Sequence, residues 1–136
     1  MTATGSRPAP EDVRTVTCIG AGVIGGGWVA YFLARGYRVV AWDPAEDAET
    51  RLRHLVAAAW PALTELGLAE GASLDHLTVE ADLASACAQA DFVQESAPED
   101  LELKRKLLAD ISAATPEGVV ISSSTSGYGM SEMATR

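Results

Sequence analysis

The chain predicts an open, doubly wound α/β domain on a parallel sheet of about five strands. Three observations carry that prediction. Short apolar runs rich in β-branched residues recur at Thr15–Ile19, Arg38–Trp42, Leu77–Val79, Asp91–Glu95 and Val119–Ser123, the composition of strands covered on both faces. Helical stretches separate them, and strand–helix alternation gives a parallel sheet with right-handed crossovers. The first run also passes straight into Gly20-x-Gly22-x-x-Gly25, which opens a helix. The expected strand order is 3-2-1-4-5, with the ligand crevice at the carboxyl ends of strands one and four.

Each element has its local reason. Residues 1–12 are rich in Pro, Gly, Ser and Thr and lack an apolar signal core, so they read as a disordered tail before a domain spanning 13–136. Helix one runs from about Val23 to Arg35, and Gly36 caps it. Asp43-Pro44 closes strand two, because the residue before proline avoids helical angles. Helix two starts near Glu46. It carries the i,i+4 pairs Asp47–Arg51 and Glu49–Arg53 outward, and Leu52, Leu55, Val56, Ala59 and Leu63 inward. Pro61 is expected to kink or restart it after Trp60, and Gly67 and Gly71 end it. A short helix covers Asp82–Ala88. Helix four covers about Asp100–Ala113, with Leu103, Leu107, Leu108 and Ile111 on one face. Strand five leads into Ser124-Thr125-Ser126-Gly127, and Met130–Thr135 is expected to begin one more helical turn.

The glycine turn sets the chemistry. Gly20 lets the chain turn out of the strand, Gly22 lets a pyrophosphate approach the backbone, and Gly25 lets the helix pack on the strand. Free N–H groups at the helix start, with the positive end of its dipole, favour a diphosphate. Gly20, Gly22, Val23, Ile24 and Gly25 are therefore the binding candidates here. Asp43 stands at the end of strand two, 23 residues beyond Gly20, near the spacing of about 20 expected of the acid that holds an adenosine ribose. A carboxylate there accepts from both ribose hydroxyls and repels a 2′-phosphate, so the cofactor predicted is NAD rather than NADP. A glycine-rich turn in another α/β domain is the plain alternative; the flanking strands, helix and acid argue against it.

Composition narrows the partners. A net charge of −9 argues against nucleic acid and against an anionic membrane surface. No apolar run approaches the roughly 20 residues of a membrane span. Cys18 falls in strand one and Cys87 in an alanine-rich helix. Both read as buried thiols of a reducing, cytoplasmic environment rather than a disulfide framework.

Gly-Ala-Gly-Val-Ile-Gly-Gly-Gly-Trp at 20–28 and Val-Val-Ala-Trp-Asp-Pro at 39–44 resemble the 3-hydroxyacyl-CoA dehydrogenase superfamily. Gln94-Glu95-Ser96-Ala97-Pro98-Glu99 and the serine-rich loop at 122–127 are similar to its later segments. The resemblance covers about residues 14–136. Trp60-Pro61-Ala62-Leu63 and the segment at 94–99 look most like its carnitine 3-dehydrogenase branch, with the L-gulonate 3-dehydrogenase branch close by. It implies reversible, NAD-linked oxidation of a 3-hydroxy acid or 3-hydroxyacyl-CoA to its 3-oxo form. It also implies that Glu99 and Lys104 lie near the nicotinamide-side ribose, and that Ser126 is the catalytic-site serine bonding the substrate oxygen. A hydroxyl there suits an oxygen that gains negative charge on reduction.

Plainer roles stand beside these. Ser126 is also a good helix N-cap, Glu99 suits the start of helix four through the dipole, and Lys104 reads equally as a solvated helix lysine. The family's general base is a histidine in a His-Pro-Phe-like segment beyond the serine loop, and this chain stops at Arg136 before it. His54 and His76 read as surface or packing residues. Gly26 stands where the carnitine-type pattern has Ser. The expectation is therefore the cofactor-binding portion of a dehydrogenase acting on a small molecule, a fragment or truncated product that binds NADH, with a homodimer or a partner subunit as its expected assembly. The alternative is a catalytically incomplete module that acts through binding or assembly.

Overall fold

The computed structural model describes residues 13–97 and 100–123. The elements run β1 (Thr15–Ile19), α1 (Val23–Ala34), β2 (Arg38–Trp42), α2 (Ala48–Leu66), β3 (Leu77–Val79), α3 (Leu83–Ala88), β4 (Phe92–Glu95), α4 (Leu101–Ala114) and β5 (Val120–Ser123). All pairings are parallel, in the order β3-β2-β1-β4-β5, as the alternation predicts. The expected tail at 1–12, the expected helical turn at 130–135 and Glu99 lie outside the described residues.

Register places the strand ends side by side. Ile19 lies level with Trp42 and with Glu95, and Glu95 with Ser123. The carboxyl ends of β2, β1, β4 and β5 thus form one rim. At the other end Asp91 staples β4 to β1: its Oδ2 accepts from the N–H groups of Arg14 at 2.9 Å and Thr15 at 3.0 Å. The central strand β1 is buried from Val16 onward, and the Thr17 hydroxyl is satisfied by donating to the Ala86 carbonyl at 2.7 Å.

The two faces hold separate cores. Val16, Cys18, Val29, Leu33, Leu52 and Val56 pack between β1–β2 and α1 with α2. Ile19, Cys87, Val93, Leu108 and Ile111 pack against α3 and α4. Both thiols are buried and outside any disulfide, and burial raises both above the usual thiol range; a hydrogen bond with the Thr115 side chain pulls Cys87 partly back. α1 ends in a left-handed glycine, Gly36, with φ +91°. Tyr37 N–H donates to Phe32 O and Gly36 N–H to Leu33 O, and the Tyr37 and Phe32 rings meet at 5.9 Å, the bonding of a Schellman cap with its apolar clasp.

Four details differ from expectation. α2 runs through Pro61 without a break. Pro61 and Ala57 both face solvent, so the carbonyl that loses its partner can be hydrated. α2 begins at Ala48 rather than near Glu46, because the Ala45 N–H donates to Asp43 Oδ1 and holds the chain in a turn. A 3₁₀ turn over Leu74–His76, nucleated by the Ser73 hydroxyl accepting from Asp75 N–H, precedes β3. In α4, Lys104 takes the inward position expected of Leu103: Lys104, Leu108 and Ile111 are buried and Leu103 is exposed. Both α2 ion pairs form, Arg51–Asp47 at 3.2 Å and Arg53–Glu49 at 2.9 Å. An apolar hollow of about 680 Å³ opens on the α1 face, between Val16, Phe92 and Val120 of the sheet and Trp28, Phe32 and Tyr37.

Candidate functional site

At the centre of the rim, β1 gives way to the glycine turn. Gly20 has φ +100°, and its N–H donates to the Trp42 carbonyl at 2.8 Å. A Cβ there would stand 2.9 Å from the Ser96 carbonyl carbon and oxygen. A Cβ on Gly25 would overlap the Gly20 carbonyl oxygen. These two glycines are structural necessities: turn and helix touch backbone to backbone. Gly22 is different. A Cβ there would meet nothing within 4 Å, so no protein atom demands its smallness. Gly22 is the N-cap of α1, no side chain caps that helix, and its first turn carries no acid. Val23 and Ile24 flank the opening and are 79% and 62% exposed. The first-turn amides therefore face an open space able to take an anion. Gly26 has its own reason: a Cβ would meet Leu55 Cδ1 at 2.9 Å, so the glycine lets α1 and α2 approach closely.

Asp43 follows β2 at the same rim. Its Oδ2 accepts from the Ala21 N–H at 2.8 Å and its Oδ1 from the Ala45 N–H at 2.9 Å. The carboxylate ties the glycine turn to the end of β2, and each oxygen keeps acceptor capacity for a further donor. The side chain is half-buried.

On the other flank the rim is built from side chains turned inward. Glu95 ends β4 with 0% exposure, and Lys104 reaches it from α4 with 1% exposure. Lys104 Nζ donates to Glu95 Oε2 at 2.6 Å, and the Ala97 N–H donates to the same oxygen at 2.7 Å. Ser123 Oγ donates to Glu95 Oε1 at 2.7 Å. The reading of Lys104 as a solvated helix lysine is thus overturned, because a buried carboxylate supplies the partner that lets a cation enter the core. Glu95 was not singled out from the sequence. An acid ending an apolar strand nine positions before a lysine was the available signal. Glu99 and Ser126 lie outside the described residues. Neither histidine stands at the rim: His54 is exposed on α2, and His76 precedes β3 at the opposite end of the sheet.

An anion-ready helix start, open space beside Gly22 and an acid one strand away fit a dinucleotide with a free ribose. Together with the strand order they define a dinucleotide-binding α/β domain. Residues 15–136 match the family described as the 3-hydroxyacyl-CoA dehydrogenase NAD-binding domain, and the chain belongs to that family. It is 74% identical over 128 residues to an L-carnitine dehydrogenase of Nocardiopsis dassonvillei, covering 94% of this chain and 39% of that protein. It is 72% identical over 127 residues to an L-carnitine dehydrogenase of Streptomyces coelicolor, covering 93% and 40%. The chain therefore spans about two fifths of the length of these relatives. Among solved structures, 3-hydroxybutyryl-CoA dehydrogenase from Escherichia coli superposes with a TM-score of 0.79 at 28% identity, over 90% of this chain and 27% of that one.

Proposed function

We propose that this domain holds NAD for the interconversion of a 3-hydroxy acid and its 3-oxo form, with L-carnitine the leading substrate. The observation that carries the cofactor side is the unobstructed space at Gly22, at the uncapped start of α1 beside Asp43. The 74% identity to an L-carnitine dehydrogenase supports the substrate. In this reading the amides of Val23, Ile24 and Gly25 hold the pyrophosphate and Asp43 the adenosine ribose. Glu99 and Lys104 belong to the nicotinamide side, Lys104 through Glu95 rather than by a free ammonium. Ser126 donates to the substrate oxygen. Bound NAD supplies the hydride acceptor. The proton of the alcohol needs a base within hydrogen-bond reach, and neither His54 nor His76 stands at the rim to serve.

No helix among the described residues is long and apolar enough to cross a membrane. Two reduced, buried thiols support a cytoplasmic setting. The deciding experiment is calorimetric titration of the chain with NADH and with NADPH in one buffer. NADH binding with clear preference over NADPH is expected, and binding of neither overturns the cofactor reading. A second reading, assembly with a second copy or a partner subunit, is favoured by the apolar hollow beside α1. Light scattering after size exclusion tests it, and a clean monomer at all concentrations counts against it.

A further inference from the structure

We propose that Glu95 is a positioning residue for the nicotinamide half of the cofactor, acting through Ala97 and Ser123; the inference rests on the NAD reading above. The strand order fixes the direction. The anion cradle lies at the end of β1 and Asp43 after β2 on one side of it. The half of a dinucleotide beyond the pyrophosphate then extends over the ends of β4 and β5 on the other side. Glu95 is the last residue of β4, level with Ile19 and Ser123. It joins three separate elements: the loop after β4 through Ala97, the end of β5 through Ser123, and α4 through Lys104. The same loop is tied to the glycine turn, for Ser96 N–H donates to the Ile19 carbonyl at 2.7 Å and the Ser96 backbone abuts Gly20.

Stability alone does not explain the choice. A buried ion pair gives little net stabilisation over well-packed apolar residues of the same volume. What apolar residues cannot do is fix a loop amide and a hydroxyl at set distances. Lys104 offsets the buried charge of Glu95, and the two Glu95 oxygens then hold the β4 and β5 ends at a constant separation. β5 is also the strand from which the chain continues toward Ser126, so the anchor sets where that segment departs.

The test uses the full chain, as wild type and as Glu95→Gln, Ser123→Ala and Ser123→Thr. Each is titrated with NADH and with ADP, which lacks the nicotinamide riboside. Melting temperature and the fluorescence of bound NADH are read alongside. Glu95→Gln and Ser123→Ala should each weaken NADH about tenfold, the scale of one hydrogen bond to a charged group. ADP affinity should fall less, by no more than about twofold, because ADP lacks the half of the cofactor that the anchor positions. The rise in NADH fluorescence on binding should shrink in both variants, and Ser123→Thr, which keeps the hydroxyl, should restore it. Should Glu95→Gln fail to fold, the Ser123 pair decides. Equal losses of NADH and ADP affinity, or unchanged NADH affinity, would reduce the cluster to a structural role and overturn the proposal. Wild-type chain that binds neither ligand removes the cofactor reading itself, a distinct outcome.

Discussion

On the β1–β2 flank of the rim, the exposed groups are the uncapped start of α1 and the open space beside Gly22, with one half-buried acid behind them. On the β4–β5 flank, a carboxylate, an ammonium and a hydroxyl are folded inward and bonded to one another. The first flank tolerates little change in shape and depends weakly on charge for its own integrity. The second depends on charge balance. One rim thus combines two ways of holding a shape, and mutations should separate them.

The largest effect is expected where the balance is broken outright. Lys104→Ala leaves Glu95 buried without its cation and should cost about 3–5 kcal/mol by denaturant unfolding. The double change Lys104→Met with Glu95→Gln should recover most of that loss, and a double variant no better than Lys104→Ala would show that packing rather than charge governs this flank. Next is Gly25→Ala, whose Cβ overlaps the Gly20 carbonyl oxygen. Overpacking a backbone contact should cost up to about 3 kcal/mol, and a wild-type melting curve would contradict that contact.

Smaller effects fall on binding rather than folding. Asp43→Ala should weaken NADH by about 10-fold to 100-fold, the worth of hydrogen bonds to a charged group, while narrowing the preference over NADPH. Gly22→Ala sharpens the comparison most, because its Cβ clashes with no protein atom. Its unfolding free energy should fall by no more than about 1 kcal/mol, as for loss of a favourable N-cap residue. Its affinity for NADH should fall with little change in melting temperature. Equal affinity would mean that the cradle does not receive the pyrophosphate.

The smallest effect is a slope with pH. Burial raises Cys18 and Cys87 above the thiol value of 9.0. The folded state therefore holds these protons more tightly than the unfolded chain, and the contribution is complete below that value and lost as pH rises above it. Cys18→Ala should flatten the decline in melting temperature above pH 9 relative to wild type. The same burial predicts that iodoacetamide leaves both thiols unmodified in the native state.

Much of this was legible in the residues, and the failures have one cause. β2 and β3 fall on the predicted residues, and strand order follows from alternation alone. The placement of the glycine turn and of Asp43 at one rim was legible because each follows directly on a strand end. The β4–β5 flank was not, because periodicity assigns a lysine to solvent unless a partner distant in the fold is known. Lys104 occupies the i position of the Lys104, Leu108, Ile111 stripe only because Glu95 waits beneath it. Pro61 misled for a related reason: whether a proline breaks a helix depends on whether water can reach the orphaned carbonyl, and exposure is a tertiary property.

The Asp91 staple carries a consequence for how the chain is made. It joins β4 to the amide of Arg14 across 77 positions of sequence, so the central strand is synthesised before the other four strands of this sheet yet waits for β4 to pair its second edge. While β2 is synthesised and pairs on one side of β1, the other side stays an open row of donors and acceptors until Asp91–Glu95 arrives. Pairing between such remote segments is slow, and an open strand edge recruits foreign strands in the interval. The nascent chain is therefore most vulnerable between completion of β2 and arrival of β4, and a holdase acting on it would need to cover that one edge of β1.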